Sequence, residues 1–239
     1  MAGAKRRDKY PNFEMLRRAE RADDFRIDCR LRPSAVAIIA PHGGKIEPGT
    51  SNIAAAIAAN DYCLYRFEGR KPRENRDLHI TSTHFDEPEC LTVISACDHV
   101  VAVHGCEGEE QVVYMGGLDL CLRDAIRGRF DAVGIITGIH DDPGLQGINS
   151  KNICNRGRRA RGVQLEISNA LRSSLMATAP SEGAPTLATF AAAVRTAIDA
   201  VARWAPGPCT VSEPLEVDDR ISAAESECPP WVDTVDKVD

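Results

Sequence analysis

An α/β fold, with an open, mixed but mostly parallel sheet flanked by helices, is what this sequence predicts. Short, wholly apolar runs recur along the chain, and helix-forming stretches alternate with them. Strands buried on both faces read as continuous apolar runs, and the crossover helices between them do the burying. No internal period of about 20–50 residues is visible, which excludes solenoids and propellers. In open sheets of this kind the working residues stand just beyond the carboxyl ends of strands. Those junctions are where function is to be sought.

The elements follow in order. Residues 34–40 (Ser-Ala-Val-Ala-Ile-Ile-Ala) form a buried strand that runs into Pro41-His42-Gly43-Gly44. Thr50 or Ser51 can cap the Ala-rich helix over 52–59. Residues 61–67 and 78–82 read as strands around a polar loop at 69–76. Asp86 can cap a helix reaching about residue 97, and residues 99–104 (His-Val-Val-Ala-Val-His) are again an apolar strand. A short strand over 111–115, an amphipathic helix over 118–127 and a strand over 132–136 come next. Residues 163–167 give the last strand, with helices near 169–176 and 187–204.

The ends differ from this pattern. Residues 1–23 are rich in Lys and Arg and show no apolar period, so they read as a basic N-terminal extension. Residues 24–208 make a single domain, and the acidic, Pro-containing residues 209–239 read as a mobile tail. The 29 Lys and Arg against 35 Asp and Glu give a net charge of -6, which disfavours a nucleic-acid binder. No apolar run approaches the roughly 18 residues of a membrane span. The basic opening lacks the apolar core of a secretory signal, and the nine cysteines show no Cys-x-x-Cys pairing. The expectation is a cytoplasmic protein with reduced thiols.

Three junctions carry chemistry. In the first, His42 and Glu47 are separated by two glycines and follow a buried strand. Tight backbone there can aim both side chains at one centre, and imidazole with carboxylate is a zinc-ligand pair. The bland alternative is a turn with a structural His and a surface Glu; the spacing fits no phosphate-binding loop. In the second, His104 ends an apolar strand before Gly105-Cys106. It can complete a His₂Glu set with a position left open for water or substrate, with Cys106 as alternative ligand or His104 as a structural residue. In the third, alternation over 163–168 sets Gln164, Glu166 and Ser168 on one face. A carboxylate there is costly unless paired or functional, and near a metal Glu166 can act as general base. Upstream, the loop at 150–161 is rich in Arg and can seat an acidic substrate, or be merely solvated surface.

Taken together, Pro41 to Ser51 (Pro-His-Gly-Gly-Lys-Ile-Glu-Pro-Gly-Thr-Ser), Leu78-His79-Ile80-Thr81-Ser82-Thr83-His84-Phe85, Val103-His104-Gly105, Asn152-Ile153-Cys154-Asn155-Arg156-Gly157 and Gly162 to Ser168 resemble the poly-γ-glutamate hydrolase family, known from bacteriophages and bacterial genomes. The resemblance covers about 24–175. It implies a zinc carboxypeptidase-like fold and a zinc-dependent enzyme that cleaves γ-glutamyl amide bonds. It further implies one Zn²⁺ per chain on His42, Glu47 and His104, with Glu166 as catalytic base. Asn155 and Arg156 resemble the pair that holds a substrate carboxylate in the wider carboxypeptidase group, where the His–Glu ligand spacing is shorter than here. His84 is a further candidate for substrate contact, and His79 reads as structural. The partner implied is acidic poly-γ-glutamate or a related γ-glutamyl substrate, met by a monomer without nucleic acid or membrane; a phage-encoded enzyme would reach it through host lysis. Two rival classes stand beside this one: a zinc deacylase for small acyl-amino acids, and a non-enzymatic phage-related binding protein.

Overall fold

The structure, a computed structural model, describes residues 7–179 and 183–204. Seven strands make one sheet: β1 (Phe25–Arg30), β2 (Val36–Gly44), β3 (Cys63–Gly69), β4 (His99–Cys106), β5 (Val112–Gly117), β6 (Ile136–Gly138) and β7 (Val163–Ser168), in the order β1-β3-β2-β4-β7-β5-β6. The central strands β3, β2, β4 and β7 run parallel, while β1 and β5 join them antiparallel. The sheet is therefore open and mixed, as expected. Because β2, β4 and β7 share a direction, their carboxyl ends lie along one edge.

Helices cover both faces. On one face α2 (Thr50–Ala58), α4 (Leu120–Ala132), α5 (Asn169–Leu175) and α6 (Leu187–Trp204) pack on Val36, Ile38, Val101, Val103, Val163 and Leu165. On the other, α1 (Phe13–Ala19) and α3 (Pro88–Ser95) pack with Ile39, Tyr65, Phe67, Phe85 and Ala102. Several boundaries depart from expectation for local reasons. Helix α2 begins after Gly49, at φ 94°, without a side-chain cap; Thr50 Oγ1 donates to the Glu47 carbonyl instead, at 2.8 Å. Glu87, not Asp86, caps α3 ahead of Pro88, and Asp86 accepts from the Phe13 amide at 2.7 Å. Residues 78–82 are not a strand: a single 3-10 turn over Asn75–Leu78 leads into irregular backbone that buries Leu78 and Ile80.

The N-terminal residues are part of the domain, which corrects the boundary expected at residue 24. Tyr10, Phe13 and Leu16 are buried in the α1/α3 layer. Their three-residue spacing makes a narrow apolar stripe, while Arg17 and Arg18 stay exposed and pair with Glu14. Density of charge hid that stripe in the sequence. The acidic stretch 209–239 lies outside the described residues. Among the described residues six cysteines are free thiols, whereas Cys121 is disulfide-bonded, so the reduced reading does not extend to it. No described helix is long and apolar enough to cross a membrane.

Candidate metal centre

The site begins with an irregularity in β2. Its register against β3 shifts between Ala40 and Gly43, where three steps on β2 match two on β3. Unbroken alternation would put His42 on the same face as Val36, Ile38 and Ala40; the extra residue turns it to the opposite face, beside Ile80 and Phe85. The loop that follows is tight. Glu47 N donates to the His42 carbonyl at 3.0 Å, which brings the two side chains back together. Neither glycine is replaceable there: Gly44 has φ +63°, and a Cβ on Gly43 would lie 2.2 Å from Ser51 Oγ.

His42, Glu47 and His104 meet at the carboxyl ends of β2 and β4. His42 Nδ1 lies 3.1 Å from Glu47 Oε1 and 3.1 Å from His104 Nδ1, and His104 Nδ1 lies 3.9 Å from Glu47 Oε2. All three residues are buried. The His42 Nε2 atom sits 2.8 Å from the Ile80 carbonyl, which can only accept, so Nε2 carries the hydrogen and Nδ1 of the neutral ring is a lone pair. That lone pair faces a carboxylate oxygen. At most one hydrogen can sit between the two facing Nδ1 atoms, and none remains for the approach of Glu47. Lone pairs exceed hydrogens, the condition a cation relieves. The separations of 3.1, 3.1 and 3.9 Å bracket the about 3.3–3.6 Å between ligands that stand at about 2.0–2.2 Å in a tetrahedral zinc site. A backbone carbonyl on the far nitrogen of a ligating His is also the usual way such a ring is oriented.

The electrostatics keep the His104 ring neutral. Burial, followed by the charge of His42, pushes His104 down to about 3. Burial alone would raise Glu47, but the neighbouring imidazoles, His42 foremost, hold its carboxyl low. Glu166 lies one strand over: His104 and Glu166 are register partners on β4 and β7, so their side chains share a face. Its Oε1 accepts from Gln164 Nε2 at 2.9 Å, and Asn152 Nδ2 holds Gln164 Oε1 at 2.8 Å. Burial and then the Glu47 carboxylate push Glu166 well above the ordinary range.

Residues 10–195 match the family model for poly-gamma-glutamate hydrolase. The chain belongs to the poly-gamma-glutamate hydrolase family. It is 35% identical to the YndL protein of Bacillus subtilis (strain 168) over 70% of this chain and 67% of that protein. It is 38% identical to the YmaC protein of the same strain, over 70% and 72%. Its fold matches a bacteriophage poly-gamma-glutamate hydrolase with TM-score 0.74 and 32% identity, covering 81% of this chain and 98% of that one. A zinc-free apo form of YndL matches with TM-score 0.74 and 31% identity, over 81% and 98%.

This family member does not bring every expected residue to the centre. Asn155 is buried, and its amide is fully used: Oδ1 accepts from Leu118 N and Gly162 N, and Nδ2 donates to the Gly147 and Asn149 carbonyls. No hydrogen-bonding capacity is left for a substrate carboxylate, so its role is to brace the loop before β7. Arg156 is exposed and donates to the Phe85 carbonyl at 3.2 Å, and His84 is exposed. Arg158 grips Asp98, and Arg159 contacts His99 and Asp119, all at the start of β4. Five residues of strand separate that point from His104, about 16 Å. Those two arginines therefore cannot seat a substrate carboxylate at the cluster.

The site also contains residues that the sequence does not single out for it. His79, expected to be structural, stacks on His42 with ring centroids 4.0 Å apart, and with His42 and Glu47 forms a group whose ligand atoms lie within 4.8 Å of one another. Asp8 fixes it through Nδ1 at 2.6 Å and also accepts from Thr81 N. Arg172 is buried and donates to the carbonyls of Pro48, Cys106 and Ile167, tying together the segments that carry Glu47, His104 and Glu166. Gly105 is its counterpart, since a Cβ there would lie 2.5 Å from the Arg172 guanidinium carbon. Arg76 places a guanidinium nitrogen 3.6 Å from Glu47 Oε1. A placement set by long-range folding leaves no local periodicity to read.

Proposed function

We propose that this hydrolase is zinc-dependent and cleaves γ-glutamyl amide bonds of poly-γ-glutamate, with one ion per chain on His42, Glu47 and His104 and with Glu166 as general base. The observation that carries the metal is the excess of lone pairs at the carboxyl ends of β2 and β4. The substrate class rests on family membership. The carboxypeptidase likeness enters only through the role given to Glu166.

When bound, zinc supplies Lewis acidity, making water nucleophilic near neutral pH and polarising the scissile carbonyl. The protein does the rest. Gly105 N donates to Glu47 Oε2 at 2.8 Å and so fixes the carboxylate's orientation. Gln164 occupies Glu166 Oε1, which leaves Oε2 to accept the proton of the attacking water and hand it to the departing amine. Coordination of Glu47 would remove one of the two causes that raise Glu166, bringing it towards its ionised, basic form. The chain is proposed to act as a monomer on this polyanion, without nucleic acid or membrane.

The test joins metal content to polymer shortening, in wild type and His42→Ala. About one zinc per chain with polymer cleavage, both lost in the variant, is the expected result. Zinc without polymer cleavage would refute the substrate and redirect the search to small acyl-amino acids. Cleavage insensitive to chelator would refute the metal.

A further inference from the structure

Arg76 stands on the short turn Asn75–Leu78, and its side chain is 51% exposed. Its guanidinium lies 3.6 Å from Glu47 Oε1, beyond hydrogen-bond range, and no other side chain pairs with it among the described residues. Its charge is nevertheless felt at both His79 and Glu166. The other basic groups nearby are engaged. Arg172 is buried on three carbonyls, Arg66 is held by Asp28 and Glu68, and Lys45 donates to the Lys71 carbonyl. Arg156 sits on the Phe85 carbonyl. An exposed, uncommitted fork at the mouth of a buried metal-binding cluster is suited to a planar anion.

Resting on the function proposed above, we infer that Arg76 is the residue that binds the substrate carboxylate next to the scissile γ-amide. Each γ-linked glutamate carries a free α-carboxylate one carbon chain away from the bond to be cut. Glu47 does not need Arg76 for its own satisfaction: one oxygen takes the Gly105 amide and the other faces His42, where coordination neutralises it. The fork is then left for the substrate. It also supplies what Asn155, spent on the loop before β7, and Arg156, donating to the Phe85 carbonyl, do not: a guanidinium beside a carboxylate of the cluster itself.

The test is a two-by-two comparison of enzyme and substrate. γ-Glutamyl oligomers with free α-carboxylates are compared with the same oligomers capped as α-carboxamides, on zinc-loaded wild type, Arg76→Gln and Arg76→Lys. Charge-assisted hydrogen bonds of this kind are worth about tenfold to a hundredfold in binding. Wild type is expected to favour the free acid by about that factor in kcat/KM, with the difference in KM. Arg76→Gln should erase the preference by raising KM for the acid, and Arg76→Lys should restore part of it through charge without the fork. A preserved wild-type preference in Arg76→Gln, or an equal loss on both substrates, overturns the assignment. A wild type that binds zinc and cuts neither oligomer overturns the substrate reading itself, a result distinct from the first.

Discussion

Strand β4 carries a buried histidine at each end, and the two ends solve the same problem differently. At the start, His99 Nδ1 lies 3.6 Å from Asp119 Oδ2, and Arg159 brings a guanidinium to 3.6 Å from that carboxylate and 3.1 Å from His99 Nδ1. At the finish, His104 Nδ1 lies 3.9 Å from Glu47 Oε2 and faces another imidazole nitrogen at 3.1 Å. Both histidines are buried beside a carboxylate. The protein supplies its own cation between the groups at one end; at the other its nearest cation, Arg76, is half exposed and touches neither ring. Burial of a His–carboxylate pair therefore does not mark a site. Two imidazole nitrogens and a carboxylate converging without a cation of the protein's own between them do.

The sharpest way to break this comparison is to remove each histidine. His104→Ala is expected to lose zinc and all detectable turnover, while His99→Gln keeps about one zinc per chain; metal analysis on both, with circular dichroism to verify folding, decides it. Loss of zinc from a folded His99→Gln protein would erase the distinction. Next in size is Glu166→Gln. Turnover should fall by about 10²- to 10⁴-fold, the usual worth of a general base, with zinc retained and Gln164 still able to bond the new amide. Activity within a few-fold of wild type would remove Glu166 from the mechanism.

The smallest effect concerns protons at the unpaired end of the zinc-free protein. Burial and then the charge of His42 lower His104 to about 3 and His79 to about 4, from 6.5. Unfolded chain takes up these protons near pH 6.5 and folded chain does not, so stability declines as pH falls from 6.5 towards 4. The slope is at most about 1.4 kcal/mol per pH unit for each ring. Urea midpoints across that window should show it, and His104→Gln should flatten it. A midpoint independent of pH in the zinc-free wild type would contradict neutral burial of these rings.

Much of this was legible. Apolar runs located β2, β4 and β7, and the rule that chemistry sits past the carboxyl ends of strands picked out His42, Glu47, His104 and Glu166, which the structure gathers at one edge. Yet simple alternation along β2 points His42 to the wrong face, and a one-residue bulge corrects it. That bulge depends on close packing of Gly43 and Gly44 against Ser51 and Gly69, which no one-dimensional pattern encodes. Asn155 departs for the opposite reason: its residue type suited a carboxylate, but its amide is already spent on loop backbone. Arg76 and His79 sit in a stretch without period, where position is decided by partners distant in sequence.

The link from Asp8 to His79 spans 71 residues, and the neighbouring bonds to Thr81 and from Phe13 to Asp86 each span 73. At a synthesis rate of about 5–20 residues per second, Asp8 leaves the ribosome roughly 4–14 seconds before the imidazole it will fix. Among the described residues, its hydrogen-bond partners, His79 and Thr81, are both made later. The wall of the cluster formed by His79 is thus finished only when a segment made early docks against one made later, so assembly order, and not only sequence, governs when this chain becomes competent.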